Sequence, residues 1–248
     1  MKNPVILIIK TGSAVPAARE DGHDFDLWFP RGLGRQRFDY QTISVSEGQA
    51  LPALDTGRAN GFDAVLVTGS PAMVTQRLDW SERSAQWLAR VHDQGLPIIG
   101  VCYGHQLLAH ALGGRVGPNP RGRHMGRVMV DVVDAEDRLM RPFAPRVPFN
   151  VSHSEIVIEP PDEARTIACA DHDPHHGLHF GGMTWGVQFH PEFDADIMKT
   201  YIEARADALH AEGHDPGALA GQVEPDTPGH DFLQHFGDLV IEHFQATT

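Results

Sequence analysis

The stretch Leu96 to Gly114, LPIIGVCYGHQLLAHALGG, constrains the fold of this chain more than any other. Leu96, Ile98, Ile99 and Val101 form a short apolar run suited to a central parallel strand. Gln106 to Leu112 carries apolar residues at helical spacing and ends on Gly113-Gly114. Cys102 stands at the corner, with Gly100 and Gly104 flanking it at minus and plus two. A strand-to-helix turn this sharp leaves no room for β-carbons on both sides, and the spacing is that of a nucleophile elbow. Unpaired N–H groups and the positive dipole end at the first helical turn favour a thiolate there. Taken alone, Cys102 also reads as a buried structural cysteine; the glycines and the helix favour chemistry.

A thiolate nucleophile needs a base, and the chain offers one late. Thr184 to Phe189, TWGVQF, is rich in β-formers, reads as a strand, and runs into His190-Pro191-Glu192. Residues two apart in an extended segment point the same way. Glu192 can therefore lie beside His190 and accept from one ring nitrogen while the other faces Cys102.

With GVCYGHQ followed by GVQFHPEF, the chain resembles the class I glutamine amidotransferase family, the domain that hydrolyses glutamine in enzymes such as GMP synthase. The resemblance extends to VLVTGSP at Val65 to Pro71 and VSHSEIV at Val151 to Val157, so that it covers about Gly61 to Phe193. It implies a catalytic triad of Cys102, His190 and Glu192. It also implies an oxyanion hole built from the Gly69-Ser70 turn and the amide of Tyr103, with Ser70 standing where the family commonly has a second glycine. Gln106 matches a position that contacts the glutamine backbone groups, and Ser152 and His153 match a pair that shapes the pocket for the amino-acid end. The residues themselves leave blander alternatives: a capping amide for Gln106, an ordinary turn for Gly69-Ser70-Pro71, and a hydrogen-bonded loop histidine for His153.

A chain of 248 residues with 41% hydrophobic content can bury one sizeable core. The expected fold is α/β, a single three-layer domain over 1–248. Its flavodoxin-like, mostly parallel central sheet carries helices on both faces and a small antiparallel extension. The core runs to about residue 212 and a C-terminal helical extension follows over 213–248. A net charge of −13 argues against nucleic-acid backbones and anionic membranes as partners. Two cysteines, Cys102 and Cys169, make no disulfide framework, and with no apolar run of about 18 residues and no signal-peptide pattern the chain reads as cytoplasmic.

Pro4 to Ile9 reads as the first central strand, and Gln41 to Val45 as the second. Between them, Phe25, Leu27, Trp28, Phe29 and Leu33 suit a short helix packed on the sheet. Ala64 to Val67 is the third strand, with Gln49 to Pro52 beginning the connection that leads to it. Asp79 to Gln94 is amphipathic. Pro118 to Gly126 reads as an Arg-bearing loop that is solvated or faces a partner, and Arg127 to Val133 as the start of the antiparallel extension. Glu155 reads as a solvated carboxylate. Ala170 to Phe180, with His172, His175, His176 and His179, reads as a loop; His-His-x-x-His lacks an established zinc spacing, and no metal or cofactor is assigned. Asp194 to Gly213 suits one long helix, Asp215 to Pro228 a connection, and His230 to Phe244 a helix that covers an open face or docks a subunit.

The chemistry the resemblance implies is cleavage of the glutamine side-chain amide through a Cys102 thioester, giving glutamate and ammonia. No Ser-Gly-Gly-x-Asp-Ser loop or Walker A motif occurs in the chain. Ammonia is therefore passed to a separate synthetase subunit, or the chain acts alone on glutamine or another γ-glutamyl compound, as a γ-glutamyl peptidase with the same triad would. A non-catalytic member that binds a metabolite or partner is the remaining alternative.

Overall fold

The computed structural model describes residues 2–54, 61–225 and 228–247. The strands are β1 (Val5–Lys10), β2 (Asp39–Ser44), β3 (Ala64–Val67), β4 (Ile98–Val101), β5 (Arg115–Pro118), β6 (His124–Val132), β7 (Arg146–His153), β8 (Glu155–Glu159), β9 (Arg165–Ala170), β10 (Asp173–Gly181) and β11 (Thr184–Val187). The helices are α1 (Phe25–Leu33), α2 (Asp79–Asp93), α3 (Tyr103–Ala111), α4 (Ala195–Ala204), α5 (Ala206–Ala211), α6 (Pro216–Gly221) and α7 (Gly229–Thr247).

One sheet runs in the order β2-β1-β3-β4-β11-β10-β9-β6-β7. From β2 to β11 every pairing is parallel, and from β11 to β7 every pairing is antiparallel. The antiparallel part thus continues the central sheet and is broader than a small appendage; β5 and β8 pair separately. The unbroken apolar run of β1 is explained by burial on both faces. Ile6 and Ile8 join one core with α1, α4 and α7, while Val5, Leu7 and Ile9 join the other with α2 and α3. These are the three layers. Helix α7 inserts Phe232, Leu233 and Phe236 against the first core, so its apolar stripe covers this chain's own face. Leu233 approaches α1 so closely that a β-carbon at Gly32 would lie 2.3 Å from its Cδ1.

Several expectations need correction. From Asp173 onward the histidine segment is strand β10 and not a loop, with His172 in the turn before it: Gly177, Leu178 and Phe180 are buried, and so are His172 and His176, whose polarity disguised the pattern. The single helix over Asp194 to Gly213 breaks at Arg205, whose backbone (φ −119°, ψ 16°) leaves the helical region, giving α4 and α5. The connection after Gly213 contains α6, opened by Asp215 accepting from the Gly217 and Ala218 amides; residues 226–227 of it lie outside the described residues. The link from Pro52 to Gly61 also falls partly outside them, at 55–60. Strand β6 begins inside the predicted Arg-bearing loop, and Arg123 there pairs with Glu212 at 2.9 Å. Leu27 of α1 faces solvent while its neighbours Phe25, Trp28 and Phe29 are buried.

Candidate active site

At the carboxyl end of β4 the chain turns directly into α3, and Cys102 makes the turn with φ 51° and ψ −102°. A non-glycine residue in that region carries about 1–3 kcal/mol of backbone strain. The turn is held because the Cys102 amide donates to the Val187 carbonyl at 2.8 Å and its carbonyl accepts from the Gln106 amide at 3.1 Å. Both flanking glycines are required by close packing. A β-carbon at Gly100 would lie 2.4 Å from the Gly104 backbone, and one at Gly104 would lie 2.4 Å from the Val67 carbonyl oxygen. Helix α3 can therefore approach β3 and β4 only without side chains at these two positions.

His190 follows β11, the strand next to β4. Its amide donates to the Asn150 carbonyl at 2.8 Å, its ring stacks on Phe193 with centroids 4.1 Å apart, and Nδ1 lies 2.7 Å from Glu192 Oε1. Burial by itself lowers the pKa of this imidazole. The negative charges of Glu192 and of the Cys102 thiolate, together with hydrogen bonds to both, overcome that and raise it to about 10. The imidazolium is thus the favoured form beside the sulfur. Gly69 lets the ring sit where it does, since a β-carbon there would lie 2.9 Å from His190 Cε1. Cys102, His190, Ser70 and Ser152 line one cavity of about 230 Å³, with Phe25, Tyr201 and Arg205 among the other walls.

The Gly69-Ser70 turn is fixed from β1. Thr11 Oγ1 lies 2.9 Å from the Thr68 carbonyl and 3.0 Å from that of Gly69, and Ser70 Oγ donates to the Thr11 carbonyl at 2.7 Å. Tyr103 opens α3, where its N–H has no intrahelical acceptor. Its side chain points away into the second core and hydrogen-bonds Ser81 at 2.5 Å. Ser152 presents its backbone carbonyl 3.8 Å from Cys102 Sγ.

Gln106, Ser152 and His153 also line a smaller cavity with Tyr103, Arg123 and Glu155. The amide of Gln106 is already engaged, donating to the Glu155 carbonyl at 2.7 Å and to Gln188 Oε1 at 3.0 Å. Glu155 is not a solvated carboxylate: it is buried and accepts from the Thr75 hydroxyl. Arg205 and Tyr201 were missed as pocket residues; they sit on a helix end whose spacing gives only a core face. His153 is buried beside His172 and His176. Burial lowers the pKa of His153 well below the usual histidine value and that of His172 to about 3. Cys169, on β9, has its thiol pKa raised by burial and by Asp131, Asp171 and Asp173.

Among the described residues, no helix is long and apolar enough to cross a membrane. The family model described as glutamine amidotransferase class-I matches residues 31–206. The chain is 37% identical over 145 residues to a GMP synthase [glutamine-hydrolyzing] of Aeropyrum pernix, covering 58% of this chain and only 25% of that relative. It is 35% identical over 143 residues to a single subunit of the GMP synthase [glutamine-hydrolyzing] of Ignicoccus hospitalis, covering 57% of this chain and 71% of the relative. It is 24% identical over 201 residues to gamma-glutamyl peptidase 5 of Arabidopsis thaliana, covering 79% and 78%. A solved structure of a glutamine amidotransferase from Thermotoga maritima superposes with a TM-score of 0.78 at 20% identity, covering 98% of this chain and 100% of that one, a likeness of fold.

Proposed function

This chain belongs to the class-I glutamine amidotransferase family, and from that premise we propose that it hydrolyses the side-chain amide of glutamine to glutamate and ammonia. The observation that carries the reading is a cysteine on a strained elbow that lines one cavity with an imidazole, which a buried carboxylate holds at 2.7 Å. Cys102 Sγ attacks the amide carbon and forms a C–S bond. The developing oxyanion rests on backbone N–H groups of the Gly69-Ser70 turn and Tyr103. His190 gives its proton to the leaving nitrogen, the C–N bond breaks and ammonia departs. Water, deprotonated by His190, then attacks the thioester and releases glutamate, and the thiolate is restored. Glu192 keeps the imidazole in position and stabilises its charged form throughout.

The ammonia is delivered, in this reading, to a separate synthetase subunit, since the Ignicoccus relative is by name one subunit of a larger GMP synthase. A γ-glutamyl peptidase uses the same residues with a different leaving amine, and the broader span of similarity to the Arabidopsis peptidase favours testing it alongside. Glutamate release from glutamine and from a γ-glutamyl dipeptide, with Cys102→Ser as the blank, separates the two. Slow release from glutamine alone supports an amidotransferase that awaits its partner, and rapid release from the dipeptide supports the peptidase. No release from either by folded protein removes both in favour of a binding role.

A further inference from the structure

Next to Ser152 in the chain, three imidazoles from two separate segments converge. His153 ends β7, His172 lies in the turn before β10, and His176 lies within β10. One ring nitrogen of each lies within 4.8 Å of the others, and all three residues are buried. His153 Nε2 and His172 Nε2 are 3.2 Å apart. That is close to the roughly 3.3 Å between nitrogens that each sit about 2.0–2.1 Å from a tetrahedral zinc ion.

For His153 and His176 the outer nitrogen is fixed by a group that only accepts. His153 Nδ1 donates to the Glu155 carbonyl at 3.1 Å, and His176 Nδ1 donates to Asp173 Oδ2 at 3.1 Å. Each arrangement places the proton on Nδ1 and turns the Nε2 lone pair inward; that of His153 accepts from His172 Nε2, whose proton a metal ion would displace. A carboxylate or carbonyl behind the imidazole is how ligating histidines are oriented in metal sites. His176 is fully enclosed, yet its Nε2 has no hydrogen-bond partner among the described residues. Asp173 is enclosed as well and holds the His175 amide with its other oxygen at 2.9 Å. It therefore supports the site without entering it. His124 stacks on His172 with centroids 3.7 Å apart and closes one side.

We propose that His153, His172 and His176 form a binding site for a divalent first-row transition ion of the zinc type, separate from the Cys102 chemistry. Three imidazole nitrogens suit zinc, cobalt, nickel or copper rather than magnesium or calcium, which take oxygen ligands. The sequence gives no standard spacing because only His172 and His176 are near in the chain. The third ligand comes from β7, brought alongside by the fold. A ring adjustment of about 1–2 Å gives all three nitrogens tetrahedral spacing, with water in the fourth position. The ion ties the end of β7 to the turn before β10. It thereby steadies Ser152, whose carbonyl faces Cys102 Sγ at 3.8 Å.

The test uses untagged protein, since a histidine tag binds the same ions. The protein is stripped with chelator, desalted, and titrated with Zn²⁺ while metal content and thermal stability are followed. Co²⁺ in its place reports geometry through its absorption spectrum. The expected result is one equivalent of Zn²⁺ per chain, a raised melting temperature, and a tetrahedral Co²⁺ spectrum. His172→Gln and His176→Gln abolish binding, and Asp173→Asn weakens it about ten- to a hundredfold. His175→Gln and His179→Gln, on the same segment but bonded to Thr166 and Asp137, leave it unchanged. If His176→Gln fails to fold by circular dichroism, His172→Gln, in the turn outside the strand, carries the test. Less than stoichiometric Zn²⁺ on wild type, wild-type affinity in His172→Gln, or equal loss in His175→Gln would overturn the proposal.

Discussion

His190 Nδ1 lies 2.7 Å from Glu192 Oε1, with both side chains buried, although a single proline separates the two residues in sequence. The pair is a local device: an extended segment leaving β11 presents both groups on one side. The Cys102 elbow on the neighbouring strand β4 supplies the third group.

Glu192→Gln keeps the volume and removes the charge. Glu192 is the largest of the influences that hold the His190 pKa up against burial. Its loss should lower turnover about 10²- to 10⁴-fold with a smaller change in KM. The alkaline limb of the rate profile should move to lower pH, since the imidazolium is then lost sooner. Steady-state kinetics across pH checks both; turnover within twofold of wild type would show that Glu192 plays no part.

Cys102, rather than Cys169, should react with a glutamine-like electrophile in the native protein. Cys102 has the cavity and the imidazolium, whereas burial and three carboxylates raise the Cys169 pKa and keep that thiol protonated. Peptide mass spectrometry after brief labelling reads the site directly, and modification confined to Cys169 would reverse the assignment.

Gly104→Ala should destabilise the fold by about 1–3 kcal/mol and disturb the elbow, because its β-carbon would lie 2.4 Å from the Val67 carbonyl oxygen. Urea denaturation measures the loss. Gly113→Ala is the control: a β-carbon there meets open space, and strain from its φ of 98° is the only penalty.

Stability should carry a signature of His190. Its folded pKa, about 10, lies above the unfolded value near 6.5, so the folded state holds the proton more tightly. The resulting stabilisation is complete below about pH 6.5 and disappears as pH rises through 10. Denaturation midpoints from pH 6 to 10 should therefore fall more steeply in wild type than in Glu192→Gln; parallel profiles would refute the coupling.

Gln106→Ala should reduce stability by about 1–3 kcal/mol, because it strands the buried Glu155 carbonyl and Gln188 Oε1. A rise in KM with unchanged stability would instead show that the amide serves substrate. Thermal melts and kinetics on the same preparation separate the two effects.

The central parallel strands β1, β3 and β4 were legible in sequence because they are buried on both faces and announce themselves as apolar runs, as in Val5 to Ile9 and Ala64 to Val67; β2, at the sheet edge and largely exposed, carries no such run. The elbow was legible because a β-carbon at either position would lie 2.4 Å from neighbouring backbone, so only glycine fits, which left Gly100 and Gly104 as a local record of a tertiary contact. The His190–Glu192 pair could be read because its two partners are close in the chain. What lay beyond reach depends on pairing between distant segments. Strand β10 hides behind histidines that are polar in sequence but enclosed in the fold. Glu155 looks solvated until Thr75 is brought beside it, and the amide of Gln106 looks free until Gln188 meets it. Local sequence determined which segments turn, extend or coil and where a thiol and an imidazole can be presented. Only the closed tertiary structure decided which polar groups lose water and face one another, because their burial is set by strands and helices far away in the chain.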